Sequence, residues 1–210
     1  MEKLDLRKQW KHLYEPSAKQ VVLVDVPRFQ FVMVDGVIEP GMAPGTSPAF
    51  QEALQALYGI SYTLKFMSKL RKDRPIDYPV MALEAIWWWE IGEFDITRPE
   101  GWFWTAMMMQ PDHITDEMYQ AGLDQLKKKR GDTPGISRLR LESFQEGLSV
   151  QIMHIGPYAT EPQTVQRMHA FAQENGYRLR GRHHEIYLGN PLRSQPEKLK
   201  TVLRQPVEVI

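Results

Sequence analysis

Cysteine is absent from the 210 residues, which excludes disulfides, thiolate nucleophiles and cysteine-ligated metal. An excess of one charge is also missing, since 26 Lys and Arg balance 26 Asp and Glu. That balance speaks against the broad basic footprint of a nucleic-acid-binding surface. No uninterrupted apolar run approaches the roughly 18–20 residues that span a bilayer. The opening MEKLDLRKQWKHLYEPSAKQ holds no apolar stretch of signal-peptide length. A cytoplasmic location with no membrane partner is therefore expected. The phosphate-cradling, nucleophile-elbow and zinc-protease motifs are absent as well. His12, His113, His154 and His169 have no metal-ligand spacing, and His183 and His184 fall on opposite sides of a strand, so neither metal nor cofactor is expected. The basic clusters KLRKDR (69–74) and KKKRG (127–131) lie at helix ends, where cations favour the helix dipole. What the chain has in quantity is sulfur and indole, with 11 Met and 6 Trp. Such wide, polarizable side chains fill cores, and they also suit a pocket for a flat apolar ligand.

The hydrophobic pattern alternates between strand and helix periods. Residues 1–19 read as a polar arm with a short helix. VVLVDVPRFQFVMVDG gives two β-branched runs punctuated by Pro27 and Gly36. A turn-rich loop leads to Ser47-Pro48, a helix start, and an apolar stripe from Phe50 to Met67 follows at helical spacing. Strands are expected over 78–92 and 101–111. A helix capped by Gly131 comes next, then a strand pair joined by a QEG turn. GPYATEP opens a further helix, RLRGRHHEIYLGN makes a strand, and PEKLKTVLRQP closes the chain as a short helix. The order repeats in two halves, with Gly36 matching Gly156 and Glu84 matching Glu185. This indicates an α+β fold of two pseudo-symmetric β-α-β-β modules, about 20–111 and 112–210, enclosing a ligand cleft.

Several segments place chemistry in that frame. In HHEIYL (183–188), alternation puts His183, Glu185 and Tyr187 on one face and sends Ile186 and Leu188 to the other, which suits packing on a helix. A carboxylate at Glu185 is either solvated or inside a cleft, where desolvation makes it a usable base or a partner for a cation. In YPVMALEAIWWWE (78–90), Glu84 and Trp88 share a face. Trp87, Trp88 and Trp89 cannot all point one way, and a tryptophan-rich core is the competing reading. Trp102 and Trp104 share a face of GWFWTAMMMQ, within reach of one flat ligand or equally as core. Tyr158 follows a Gly-Pro turn and projects over the mouth of a cleft, or the turn is a plain strand-to-helix link.

GPYATEP, MHAFAQENGY, HHEIYLGNP and KLKTVLRQPV resemble the C-terminal half of the GyrI-like small-molecule-binding family, and LEAIWWW and WFWTAMMMQPDHIT resemble segments of its stand-alone members. The likeness runs from about residue 20 to the end. It implies a duplicated fold of the SHS2 type with a cavity faced by Glu185, and by Glu84 and Trp88 from the other module. About 20 residues precede the first strand, too few for the helix-turn-helix domain that many relatives carry. One stand-alone branch hydrolyses cyclopropane-bearing DNA-alkylating natural products. By that resemblance the expected activity is a detoxifying hydrolase, with Glu185 or Glu84 handling water. Trp88, Trp102, Trp104, Tyr158 and Tyr187 would then form an aromatic cage. The alternative is a binding or sequestering protein for hydrophobic or cationic drugs, without chemistry. Blocking of DNA gyrase, which the family name evokes, fits the near-zero charge least.

Overall fold

The computed structural model describes residues 1–90, 94–191 and 193–210. The chain begins with β1 (Glu2–Lys3), α1 (Leu6–Gln9), α2 (Lys11–Tyr14), β2 (Val22–Val37), α3 (Pro48–Lys69), β3 (Ile76–Asp77), β4 (Leu83–Trp88) and β5 (Phe103–Gln110). It continues with α4 (Asp116–Arg130), α5 (Pro134–Ser137), β6 (Arg140–Ile155), α6 (Glu161–Glu174), β7 (Tyr177–Leu179), β8 (His183–Tyr187) and β9 (Lys200–Val209). Helices and mainly antiparallel strands are mixed along the chain, as an α+β protein requires. Two compact units form, each from three separated stretches. Residues 1–9, 29–81 and 99–144 make unit one, and residues 10–28, 82–98 and 145–210 make unit two.

Unit one shows the expected start signals at work. The Ser47 side chain accepts from the Phe50 amide at 3.1 Å, and Pro48 occupies the first turn of α3. The apolar stripe of α3 buries Phe50, Ala53, Leu57, Ile60 and Leu64. Thr115 caps α4, Asp116 and Glu117 sit in its first turn and four basic residues in its last, so both ends complement the helix dipole. The later part of β2 pairs antiparallel with β5, which sets Gly36 opposite Trp104. A Cβ at Gly36 would stand 2.1 Å from the Trp104 ring, which also meets Phe50 edge-to-face at 5.1 Å. Trp104 is fully buried and Trp102 nearly so. Gly36→Ala must therefore push an indole out of a closed core. The expected cost is about 1–3 kcal/mol, the range for overpacking, and a thermal melt beside wild type measures it. An unchanged melting temperature would show that the Trp104 pocket yields freely.

Unit two is built around β9. This strand pairs antiparallel with β6, β8 and β7, and β8 in turn pairs with β4. Helix α6 lies on one face and buries Val165, Met168 and Ala172 against Val150, Ile152, Leu203 and Val207. Gly176, at φ 78, lets the chain leave α6 for β7.

Four expectations about elements need correction. The closing segment is a strand, preceded by a single helical turn at Pro196–Lys198. Residues 201–207 of β9 are buried, so both faces are covered and the pairing partners override the helix-forming Lys, Leu and Gln. The QEG segment is no hairpin turn: β6 runs unbroken through it, with Gly147 at φ 75 absorbing the irregularity. RLRGRHHEIYLGN splits into β7 and β8 at Gly181, φ 62. The N-terminal arm is no mere surface cover, because Leu13 and Tyr14 are buried within unit two. Ile91 and Gly92, expected to end the first tryptophan-rich strand, lie outside the described residues. Among the described residues no helix is long and apolar enough to cross a membrane.

Candidate functional site

Strand register decides which side chains can meet. Ala85 and Leu203 flank Glu185, while Glu84 and Val202 flank Ile186. Leu203 packs under α6. Glu185 therefore faces α6, and Glu84 points to the opposite face of the same sheet. The expected order was the reverse, with Ile186 toward the helix and the two glutamates facing each other across a cleft. A one-residue offset in a strand reverses the face, so the sequence match of Glu84 to Glu185 misleads. No single ligand touches both carboxyl groups across that sheet.

The α6 face carries a polar cluster. Tyr187, Thr201 and His154 form one row across β8, β9 and β6. Trp87 stands opposite His183. The Trp87 indole donates to Tyr187 Oη at 3.1 Å, and the Tyr187 hydroxyl donates to Glu185 Oε2 at 2.5 Å. His183 Nε2 lies 3.2 Å from Glu185 Oε1, and the Phe94 ring stacks on His183 at 5.7 Å. Gly156, at φ 141, makes the turn that the GPY segment needs. Tyr158 follows, 39% exposed and edge-to-face with Tyr187 at 5.9 Å. His154 is held by Thr164 at 2.9 Å and Thr160 at 3.1 Å. Over this row sits Glu161, the first residue of α6, only 3% exposed.

Burial dominates the electrostatics here. It pushes the Glu161 carboxyl up to about 9, aided by the nearby Glu185 charge and opposed by the neighbouring Thr201 hydroxyl. Burial likewise pushes the Tyr187 phenol well above its ordinary value, with Glu185 adding to it. It pushes His154 down, and His169 down to about 4. No lysine or arginine pairs with Glu185 or Glu161 among the described residues.

The opposite face is wired differently. The Tyr14 hydroxyl donates to Glu84 at 2.7 Å. His184 lies between Glu84 and Glu146, 3.0 Å from each. Arg204 reaches Glu146 at 3.1 Å, Gln151 at 2.9 Å and the Leu13 carbonyl at 2.8 Å. Burial alone would raise the Glu146 carboxyl, but the His184 and Arg204 charges outweigh it and hold it at about 2. Burial would lower His184, and the two glutamates outweigh that to lift it to about 9. His184 and Arg204 are thus set against Glu84 and Glu146. This is a compensated structural network that fastens α2 to the sheet of unit two.

Of the residues picked from sequence, the structure gathers Glu185, Tyr187 and Tyr158. Glu84 belongs to the compensated network. Trp88 lies on the Glu84 face with the Arg182 guanidinium 3.6 Å from its ring centre, so it is already engaged by its own chain. Trp102 and Trp104 sit in unit one, in its core. Sequence reasoning missed Glu161, Thr201 and His154 as members, set His183 on the Glu185 face without giving it a part, and left Trp87 undecided. The signal for Trp87 was two-residue alternation from Ala85, usable only once the phase of the strand was known. Among the described residues no three His, Asp or Glu side chains gather as a metal-holding group.

Comparison with known proteins bears on the chain as a whole. A family model described as the GyrI-like small molecule binding domain matches residues 20–208. Among solved structures, an uncharacterized conserved protein from Listeria innocua is 39% identical, with a TM-score of 0.87 over 98% of this chain and 100% of that one. A hydrolase from Listeria innocua is 38% identical, with a TM-score of 0.84 over 99% of this chain and 100% of that one. A further hydrolase structure from the same organism is 36% identical, with a TM-score of 0.82 over 98% and 100% of the two chains. No curated protein matches the chain.

Proposed function

Because this chain belongs to the GyrI-like small-molecule-binding family, we propose that its Glu185 site binds flat hydrophobic molecules and hydrolyses those bearing a strained cyclopropane, as in DNA-alkylating natural products. Similarity to two Listeria innocua proteins described as hydrolases, at 36% and 38% identity, supports a hydrolytic rather than a purely binding role. The observation that carries the reading is the contrast between the two faces of one sheet. Glu84 and Glu146 are neutralised by His184 and Arg204, whereas Glu185 is buried without a lysine or arginine partner among the described residues. A buried carboxyl with only a histidine and a phenol beside it, and no permanent cation among the described residues, is costly, and such costs concentrate where chemistry is done.

The residues divide the work. Tyr187 and His183 fix the Glu185 carboxylate, leaving it oriented to accept a proton from one water. Trp87, Tyr187 and Tyr158 supply aromatic surface in place of the cage expected from Trp88, Trp102 and Trp104. Relief of ring strain drives the opening, so the protein's task is to place water in line with the strained carbon. The duplicated β-α-β-β plan is part of the same proposal, since β2 into α3 and β6 into α6 repeat one strand-to-helix order.

Incubation with a cyclopropane-bearing alkylating drug, read by mass spectrometry, tests this. The expected product is heavier by one water. The family description favours a second reading, capture without chemistry. Unchanged ligand mass together with saturable quenching of tryptophan emission would establish that reading and end the hydrolytic one.

A further inference from the structure

We infer that Glu161 is the proton donor of this site, held as a carboxylic acid beside the Glu185 carboxylate so that the two share one proton. The inference rests on the hydrolytic reading of Glu185 and deepens it by giving the departing electron pair a proton to meet.

The placement comes from α6 and the strands beneath it. Glu161 opens α6 between Thr160 and Thr164, which both bond His154 in the row of Thr201 and Tyr187, and that places its buried carboxyl at the end of the cluster that holds Glu185. Its Oε1 is buried and makes no hydrogen bond among the described residues, and Thr201 Oγ1 and His183 Nδ1 in the same cluster are likewise without one. A buried acceptor left unused is expensive, which fits a carboxyl reserved for a ligand. The groups around it come from every packed element. They are Glu185 and Tyr187 on β8 with His183 bonded to Glu185, Thr201 on β9, His154 on β6, and Thr164 on α6 itself. Burial holds His154 and His169 toward the neutral form, so neither supplies a counter-charge at neutral pH. The N-terminus of α6 favours an anion, but that effect is small beside the desolvation of a nearly inaccessible carboxyl. The proton therefore stays on Glu161.

The chemistry then closes. Water oxygen bonds to the cyclopropane methylene carbon while the strained carbon–carbon bond breaks. The released pair runs through the conjugated ring to its carbonyl oxygen, which takes the Glu161 proton and becomes a hydroxyl. The attacking water gives its proton to Glu185. The sum is substrate plus water to a ring-opened alcohol, and passage of the proton from Glu185 to Glu161 restores the starting pair. Two carboxyl groups with opposite protonation at one pH form an acid–base couple.

The test uses the intact protein with carbon-13-labelled glutamate carboxyls and Glu161→Gln as the assignment control. The Glu161 signal is expected to stay in the protonated position through neutral pH and to move only in the alkaline range. An ionised Glu161 at pH 7 overturns the inference. Turnover of a cyclopropane-bearing drug by Glu161→Gln is expected to fall roughly 10²–10⁴-fold, because the amide keeps the shape but has no proton to give. The alkaline limb of the wild-type pH–rate profile should vanish with it. A merely structural Glu161 would change the melting temperature and leave that limb in place, which also overturns the inference. Failure of the underlying reading looks different. Wild-type protein would then leave the drug's mass unchanged, and the carboxyl titration would still decide whether the pair holds one proton.

Discussion

Glu185→Gln is expected to slow ring opening roughly 10²–10⁴-fold while drug affinity stays close to wild type. The amide is nearly isosteric, and its oxygen can still accept the Tyr187 hydroxyl that now lies 2.5 Å from Glu185. What disappears is the group that takes the water's proton, an interaction made mainly in the transition state. The loss should therefore fall on kcat, with KM little moved. Single-turnover rates and tryptophan-quenching titrations on the same preparation separate the two quantities. Wild-type turnover by the variant would remove Glu185 from the chemistry. Glu84→Gln supplies the internal contrast: its side chain lies on the other face of the sheet, so it should lower stability and leave the rate alone.

The second large effect concerns that other face. Glu146→Gln leaves His184 and Arg204 buried with Glu84 as their remaining carboxylate. Removing one partner from a buried ion pair typically costs about 3–5 kcal/mol, because the abandoned charge stays desolvated. For a chain of this size that corresponds to a fall in melting temperature of about 6–20 °C. The same network sets a pH signature. His184 is raised to about 9, so its stabilisation is full below its unfolded value of 6.5 and is lost as pH rises through 9. Glu146 is held at about 2, so its stabilisation is full above its unfolded value of 4.5 and is lost as pH falls through 2. Stability should thus be flat between those unfolded values and decline on either side. Urea unfolding across the range measures it, and in Glu146→Gln the acid-side decline should weaken. A wild-type curve rising steadily from pH 5 to 9 would contradict the placement of His184 between two carboxylates.

Local signals in the sequence were read well where they depended on neighbours along the chain. Ser47 with Pro48, Gly131 and Gly176 mark helix ends that the structure has. Alternation correctly grouped His183, Glu185 and Tyr187 on one face. What the sequence could not supply was the phase of that face. Glu84, Ala85, Ile86 and Trp87 are all buried, so no polar side marks the outside of β4. Pairing of β4 with β8 joins segments about a hundred positions apart, and nothing local announces that register. The site's second carboxyl was hidden for the same reason. Glu161 reads as an ordinary acidic first-turn residue until α6 is seen lying over Thr201 and Tyr187.

The bond from Trp87 to Tyr187 spans 100 positions of chain, and with it the indole and the carboxylate it helps to frame are encoded far apart. Any recombination between related genes with a breakpoint between those codons inherits the two from different parents. Such a hybrid keeps a working site only if both parents share the register that sets Ala85 against Glu185. Among close relatives that share that register, the β4 indole and the β8 carboxylate can accordingly be inherited separately and still meet on one face of the sheet. Lineages whose strand register has slipped are closed to that exchange, because one step of slip turns the carboxylate to the other side of the sheet.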